Sequence, residues 1–119
     1  LLVILVAVVL SLASGGVSSS YTPLNPAPRP MAPRAAQTVE VFTTALPSRP
    51  YVEVGLIEAS EDSVLTEADM PQMIQELRKM AAQVGCDGIV LTGGSARVVG
   101  PTYSAGTLKS NTATCIVYR

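Results

Sequence analysis

The chain has no histidine and no tryptophan, one phenylalanine and only two cysteines among its 119 residues. Without histidine, Ser–His–Asp and Cys–His catalytic schemes are excluded, and so is every His-ligated zinc site. Two lone thiols also fall short of the four ligands that structural zinc takes. Charge is scarce as well. Eight Lys and Arg against nine Asp and Glu leave a net −1, so no global basic field draws the protein onto nucleic acid. The length suits a single domain, since domains cluster at roughly 100–150 residues.

What is present is unevenly spread. Leu1 to Ala13 is Leu, Val, Ile and Ala broken only by Ser11. An export h-region has roughly 7–15 apolar residues and a bilayer-spanning helix about 20, so residues 1–14 read as an export signal. The small residues Ala13-Ser14-Gly15-Gly16 that follow suit a signal peptidase. An uncleaved membrane anchor and a buried core segment are the alternatives, and membrane association through this segment stays open. Leu12-Ala13-Ser14-Gly15 has the form of a lipoprotein box with Gly15 in the place of the Cys. Lipid attachment needs the sulfur, so the chain as written is not lipidated there.

Residues 15–37 change character. Ser18, Ser19 and Ser20 run together, and Pro23, Pro26, Pro28, Pro30 and Pro33 follow. Arg29 and Arg34 are the only charges. Proline fixes φ and removes amide donors, so the expected state is an extended, disordered linker, either a passive tether or a recognition strand.

Residues 38–119 form the expected domain. Thr38 to Thr43 alternates polar and apolar, as a half-buried strand does. Tyr51 to Ala59 alternates again, with Val52, Val54 and Leu56 on one face, and Gly55 marks a bulge or a close backbone approach. Asp69 is a candidate N-cap, with Pro71 in the first turn. Met70, Met73, Ile74, Leu77, Met80, Ala81 and Val84 give one apolar stripe, Glu76 falls on the wet face, and Gly85 closes the helix. Gly88 to Thr92 is a short buried strand, broken by Gly93-Gly94-Ser95, and Thr112 to Tyr118 is a final strand. The resulting β-β-α-β-β order predicts an α+β, two-layer domain, one helix packed on an antiparallel or mixed sheet.

Export signal, Pro-rich linker and α+β domain, in that order, resemble the RcsF-type outer-membrane stress-sensor lipoproteins, and the domain is similar to the YbjQ-type fold. The matching residues are Val39-Glu40-Val41-Phe42-Thr43, Val54-Gly55-Leu56-Ile57-Glu58, the helix from Leu77 to Val84 running into Gly88-Ile89-Val90-Leu91, and Thr114-Cys115-Ile116-Val117. The resemblance implies an envelope protein that senses stress through a protein partner. It places the lipidated Cys of the family at Gly15. It also places Cys115 at one half of a family disulfide, with Gly94 where the other half would stand.

Cys86 follows the helix cap and Cys115 lies in the last strand. An antiparallel pairing around Val90 and Ile116 brings them together, and an exported small domain usually oxidises such a pair. Two buried thiols are the alternative. Thr92-Gly93-Gly94-Ser95 lacks the Gly-Lys-Ser/Thr of a P-loop and reads as a turn. Glu58, Glu61 and Asp62 cluster near a strand end, as a loose cation-binding loop or a solvated one. The expectation is an exported, non-enzymatic envelope interaction or stress-sensing domain, periplasmic or secreted, with an envelope protein as partner, no nucleic acid and no cofactor. A small-ligand or metal-binding domain is the second reading.

Overall fold

The computed structural model describes residues 10–14, 16–61, 69–99 and 106–119. Along the chain these form β1 (Leu10–Ser14), β2 (Val17–Pro23), β3 (Glu40–Phe42), β4 (Tyr51–Glu61), α1 (Met70–Val84), β5 (Gly88–Val99) and β6 (Gly106–Tyr118). The strands make one sheet in the order β1-β2-β4-β6-β5-β3. Every pairing is antiparallel except that of β3 with β5, so the sheet is mixed. The helix packs against one face, and the α+β architecture agrees with the pattern of residues 38–119. No helix among the described residues is long and apolar enough to cross a membrane.

The helix has the ends its sequence predicts. Asp69 is in extended backbone and its Oδ1 accepts the Gln72 amide at 2.9 Å, while Pro71 occupies the first turn. At the other end Gly85 sits at φ 101°, and the Gly85 and Cys86 amides both donate to the Ala81 carbonyl at 2.9 Å. Met73, Leu77, Met80 and Ala81 are buried against Ile57, Ala59, Ile89, Ala113 and Cys115 of the sheet in one core. The stripe is rotated from the expected one. Met70 is 53% exposed, whereas Glu76, expected on the wet face, is buried and pairs with Lys79 at 3.3 Å. Partial exposure of Lys79 lets its long stem shield the pair while its ammonium reaches water.

Strand β4 corrects a second expectation. A bulge between Glu53 and Gly55 inserts Val54 and flips the alternation. Val52 and Val54 pack against the core, Leu56 turns to the opposite face and is 42% exposed, and Ile57 takes the inward place. Gly55 serves both expected uses. It borders the bulge, and the Tyr21 ring lies where its Cβ would be. The Tyr21 hydroxyl donates to the Val54 carbonyl at 3.3 Å.

The linker expected over residues 15–37 is not a free tether. Val17–Pro23 is a full strand, paired with β4 from Val17↔Glu61 to Pro23↔Gly55, with Val17, Ser19 and Tyr21 buried. The serine run follows strand alternation, with Ser19 buried on the same face as Val17 and Tyr21. Only after Pro23 does proline stop the ladder. The chain then runs extended across the end of the sheet, with Ala27, Met31 and Ala36 packed on the core, to a 3-10 turn over Ala36–Thr38. Of the expected export signal, Leu10–Ser14 is β1, in register with β2 from Leu10↔Tyr21 to Ser14↔Val17. Its residues 1–9 lie outside the described residues, as does Gly15.

The last two strands are longer than their sequence pattern. β5 continues through Gly93-Gly94-Ser95 to Val99, because Gly93 at φ 134° absorbs a register shift between Leu91 and Gly93. β6 begins at Gly106. Residues 100–105, between the two strands, lie outside the described residues.

Candidate functional site

The helix cap delivers Cys86 to the head of β5, and antiparallel pairing sets Ile89 opposite Cys115. The two cysteines form a disulfide with Cα atoms 5.6 Å apart, across a sequence separation of 29. Both are fully buried in the core. The geometry that the sequence left conditional is therefore realised. Gly94, where the resembled family places a partner for Cys115, stands opposite Asn111, well along the strand from Cys115.

Beside the disulfide lies a residue that the sequence reading missed. Asp87 is buried, and its carboxylate meets two arginines of the proline-rich segment. Oδ1 accepts from Arg34 Nη1 at 2.6 Å; Oδ2 accepts from Arg29 Nη2 and from the Tyr118 amide, the latter at 2.8 Å. Each guanidinium is further fixed by backbone. Arg34 donates to the Cys86 carbonyl at 3.2 Å and to the Thr38 carbonyl at 3.1 Å, and Arg29 donates to the Tyr118 carbonyl at 3.3 Å. Arg29 and Arg34 are half and one-third exposed, so the cluster opens to water on one side. The signal was present in the sequence: the only charges of residues 15–37 are both positive, and an acid follows Cys86. With three of its roughly four lone-pair sites directed at donors, Asp87 is a clamp for the extended segment.

A second polar group adjoins it. The Tyr118 hydroxyl donates to Glu40 Oε1 at 2.5 Å, and the Arg49 guanidinium stacks 3.9 Å above the Tyr118 ring. Burial first, and then the Glu40 acceptor, push the Tyr118 phenol up to about 12. Desolvation likewise raises Tyr21.

The acidic cluster does not converge. Glu58 is exposed on the face away from the helix, opposite Thr112 and Ser20. Glu61 lies three residues on, on the helix side, buried, with Oε1 accepting the Lys109 amide at 2.9 Å and Oε2 4.0 Å from Lys109 Nζ. Asp62 lies outside the described residues. Strand alternation parts Glu58 from Glu61, because positions an odd number apart face opposite sides. Among the described residues no group of three metal-ligating side chains occurs.

An open groove of about 720 Å³ at the end of the sheet is lined by Asn25, Pro26, Pro28, Tyr51, Val52, Glu53 and Arg119. It brings together no acid–base pair and no nucleophile next to a base.

No family profile matches the chain and no curated protein matches it. Among solved structures, the crystal structure of the Francisella virulence factor FvfA in its orthorhombic form is similar, at 16% identity and a TM-score of 0.46, over 83% of this chain and 97% of that one.

Proposed function

We propose that this is an exported bacterial envelope protein whose disulfide-stapled domain is a non-catalytic interaction module, of the stress-sensing kind that RcsF-type proteins represent. The observation that carries the reading is the buried Cys86–Cys115 bridge. A structural disulfide in a small domain is at home in an oxidising compartment, and the apolar leader supplies the route to one. The clamp at Asp87 adds a rationale for the proline-rich stretch, which is folded onto the domain and stabilises it.

Cleavage after Ser14 removes β1 entire and leaves β2 as the sheet edge. The buried contributions of Val17, Ser19 and Tyr21 stay with the mature domain. Glu58 and Glu61 lie on opposite faces of β4, so these two carboxylates do not share one cation site.

The test is fractionation of cells expressing the full chain, with alkylation before and after reduction and intact mass of the product. Export, loss of the leader and thiols that react only after reduction support the reading. A cytoplasmic product with its leader retained and both thiols reactive would overturn it. Photo-crosslinkers at exposed positions of the exported domain then report whether one envelope protein is captured reproducibly.

A further inference from the structure

β1 is the outermost strand of the sheet, and it covers the free side of β2. Cleavage after Ser14 takes it away. The chain beyond β2 does not replace it, because it turns inward at once: the Leu24 amide donates to the Val54 carbonyl of β4 at 2.8 Å. The backbone donors and acceptors that faced β1 are then open along β2, and such an edge is a template for another strand. Edges that stay single carry a charge, a proline or a bulge. Val17 to Thr22 has no charged residue, its register with β4 is unbroken, and Pro23 only closes its end.

Two features of the strand say what pairs with it. By class, Val17-Ser18-Ser19-Ser20-Tyr21 reads the same in both directions, with a large residue at each end and serines between. Set antiparallel against its own copy about Ser19, it brings Val17 opposite Tyr21 on the helix side and Ser18 opposite Ser20 on the outer side. The second feature is Ser19 itself. It is 3% exposed, and its Oγ is buried with no hydrogen-bond partner. In β1 the residue opposite it is Leu12, which has no polar side-chain atom. In the self-paired arrangement the two Ser19 hydroxyls stand opposite each other, so one donates to the other and the orphaned oxygen on each copy gains a partner.

We propose that loss of the leader turns β2 into the interface of a symmetric homodimer, in which two β2 strands pair antiparallel about Ser19 and join two sheets into one. The contact is isologous, so it closes at two copies. The inference rests on the export reading for the removal of β1, and it makes a second copy of this chain the partner at that edge.

The test compares the full chain with its leaderless form by light scattering over a concentration series. The leaderless form is the exported product, or the folded full chain cut at a protease site placed at Gly15-Gly16 and freed of its leader. The leaderless form should reach the dimer mass, while the full chain, with β1 on the edge, should not. Ser18→Lys with Ser20→Lys sets lysines opposite lysines across the interface and should weaken the dimer about three- to thirtyfold. Ser18→Glu with Ser20→Lys sets opposite charges there and should restore it. Both serines are partly exposed on the outer face, and Lys at position 20 lies beside Glu58, so the fold accommodates the changes. A leaderless form monomeric at every concentration, a dimer indifferent to the charge pairs, a full chain that dimerises with the same response to them, open-ended association, or another protein's strand held on β2 would each overturn the proposal. A dimer from the cut chain without export in cells would support the interface and overturn the envelope reading alone.

Discussion

Reduction of the Cys86–Cys115 bridge is the perturbation whose size follows most directly from the structure. The bridge closes a segment with a sequence separation of 29 between its ends. In the chain-entropy description, a loop of that length removes about 12 cal/mol/K from the unfolded ensemble, or about 3–4 kcal/mol at 25 °C. The cysteines are fully buried and their thiols remain in place on reduction, so packing changes little and the loss is mostly that of the cross-link. Small domains are stable by roughly 5–15 kcal/mol, so the bridge is a large share of the total. Urea unfolding followed by circular dichroism, with and without a phosphine reductant, measures it. With a slope near 1.3 kcal/mol/M, the midpoint should fall by about 2–3 M. Cys86→Ala with Cys115→Ala should lie lower still, by about 1–2 kcal/mol, because buried sulfur is lost as well. A reduced protein within about 1 kcal/mol of the oxidised one would refute the argument, by showing that the unfolded ensemble already holds this loop closed.

Three further outcomes follow from named contacts. Asp87→Asn removes the anion shared by Arg29 and Arg34, and since both arginines reach water the cost should be about 1–3 kcal/mol. Its specific readout is faster tryptic cleavage after Arg34 with the rest of the domain intact; unchanged cleavage would show that apolar packing of the segment suffices. Gly85→Ala puts a side chain at φ 101° and against the Ala32 backbone, and should destabilise by about 1–3 kcal/mol in thermal melts. The phenol of Tyr118 binds its proton more tightly folded, at about 12, than unfolded at about 10. Its contribution to stability is therefore complete below pH 10 and is lost as pH rises through 12. Ultraviolet titration should show one tyrosine ionising near 12 in the folded protein, and Glu40→Gln should lower that midpoint.

The residues 38–119 were legible because each element carries its own local signal. Asp69, Pro71 and Gly85 act through backbone conformation and capping, which need no distant partner, and the helix begins and ends on them. Alternation located β3, β4 and the core of β6, and the cysteines needed only the antiparallel pairing of β5 with β6 to meet. The bulge was foreseen at Gly55, but its consequence was not: one inserted residue reverses every later side chain, and it moved Leu56 out.

Composition misled where a segment borrows its structure from elsewhere. Val17–Pro23 and the proline-rich stretch have little propensity of their own. They are ordered by the free edge of β4, by the space beneath the helix cap at Gly85 and by one buried carboxylate at Asp87. The sequence by itself determined the helix and the alternating strands, because their causes lie within a few residues, and it left the bond between the two cysteines conditional on the pairing of β5 with β6. Only the tertiary structure decided that the serine- and proline-rich segment is part of the fold. It also decided which acids share a face, because strand register and a carboxylate some 50 residues away in the chain set those contacts.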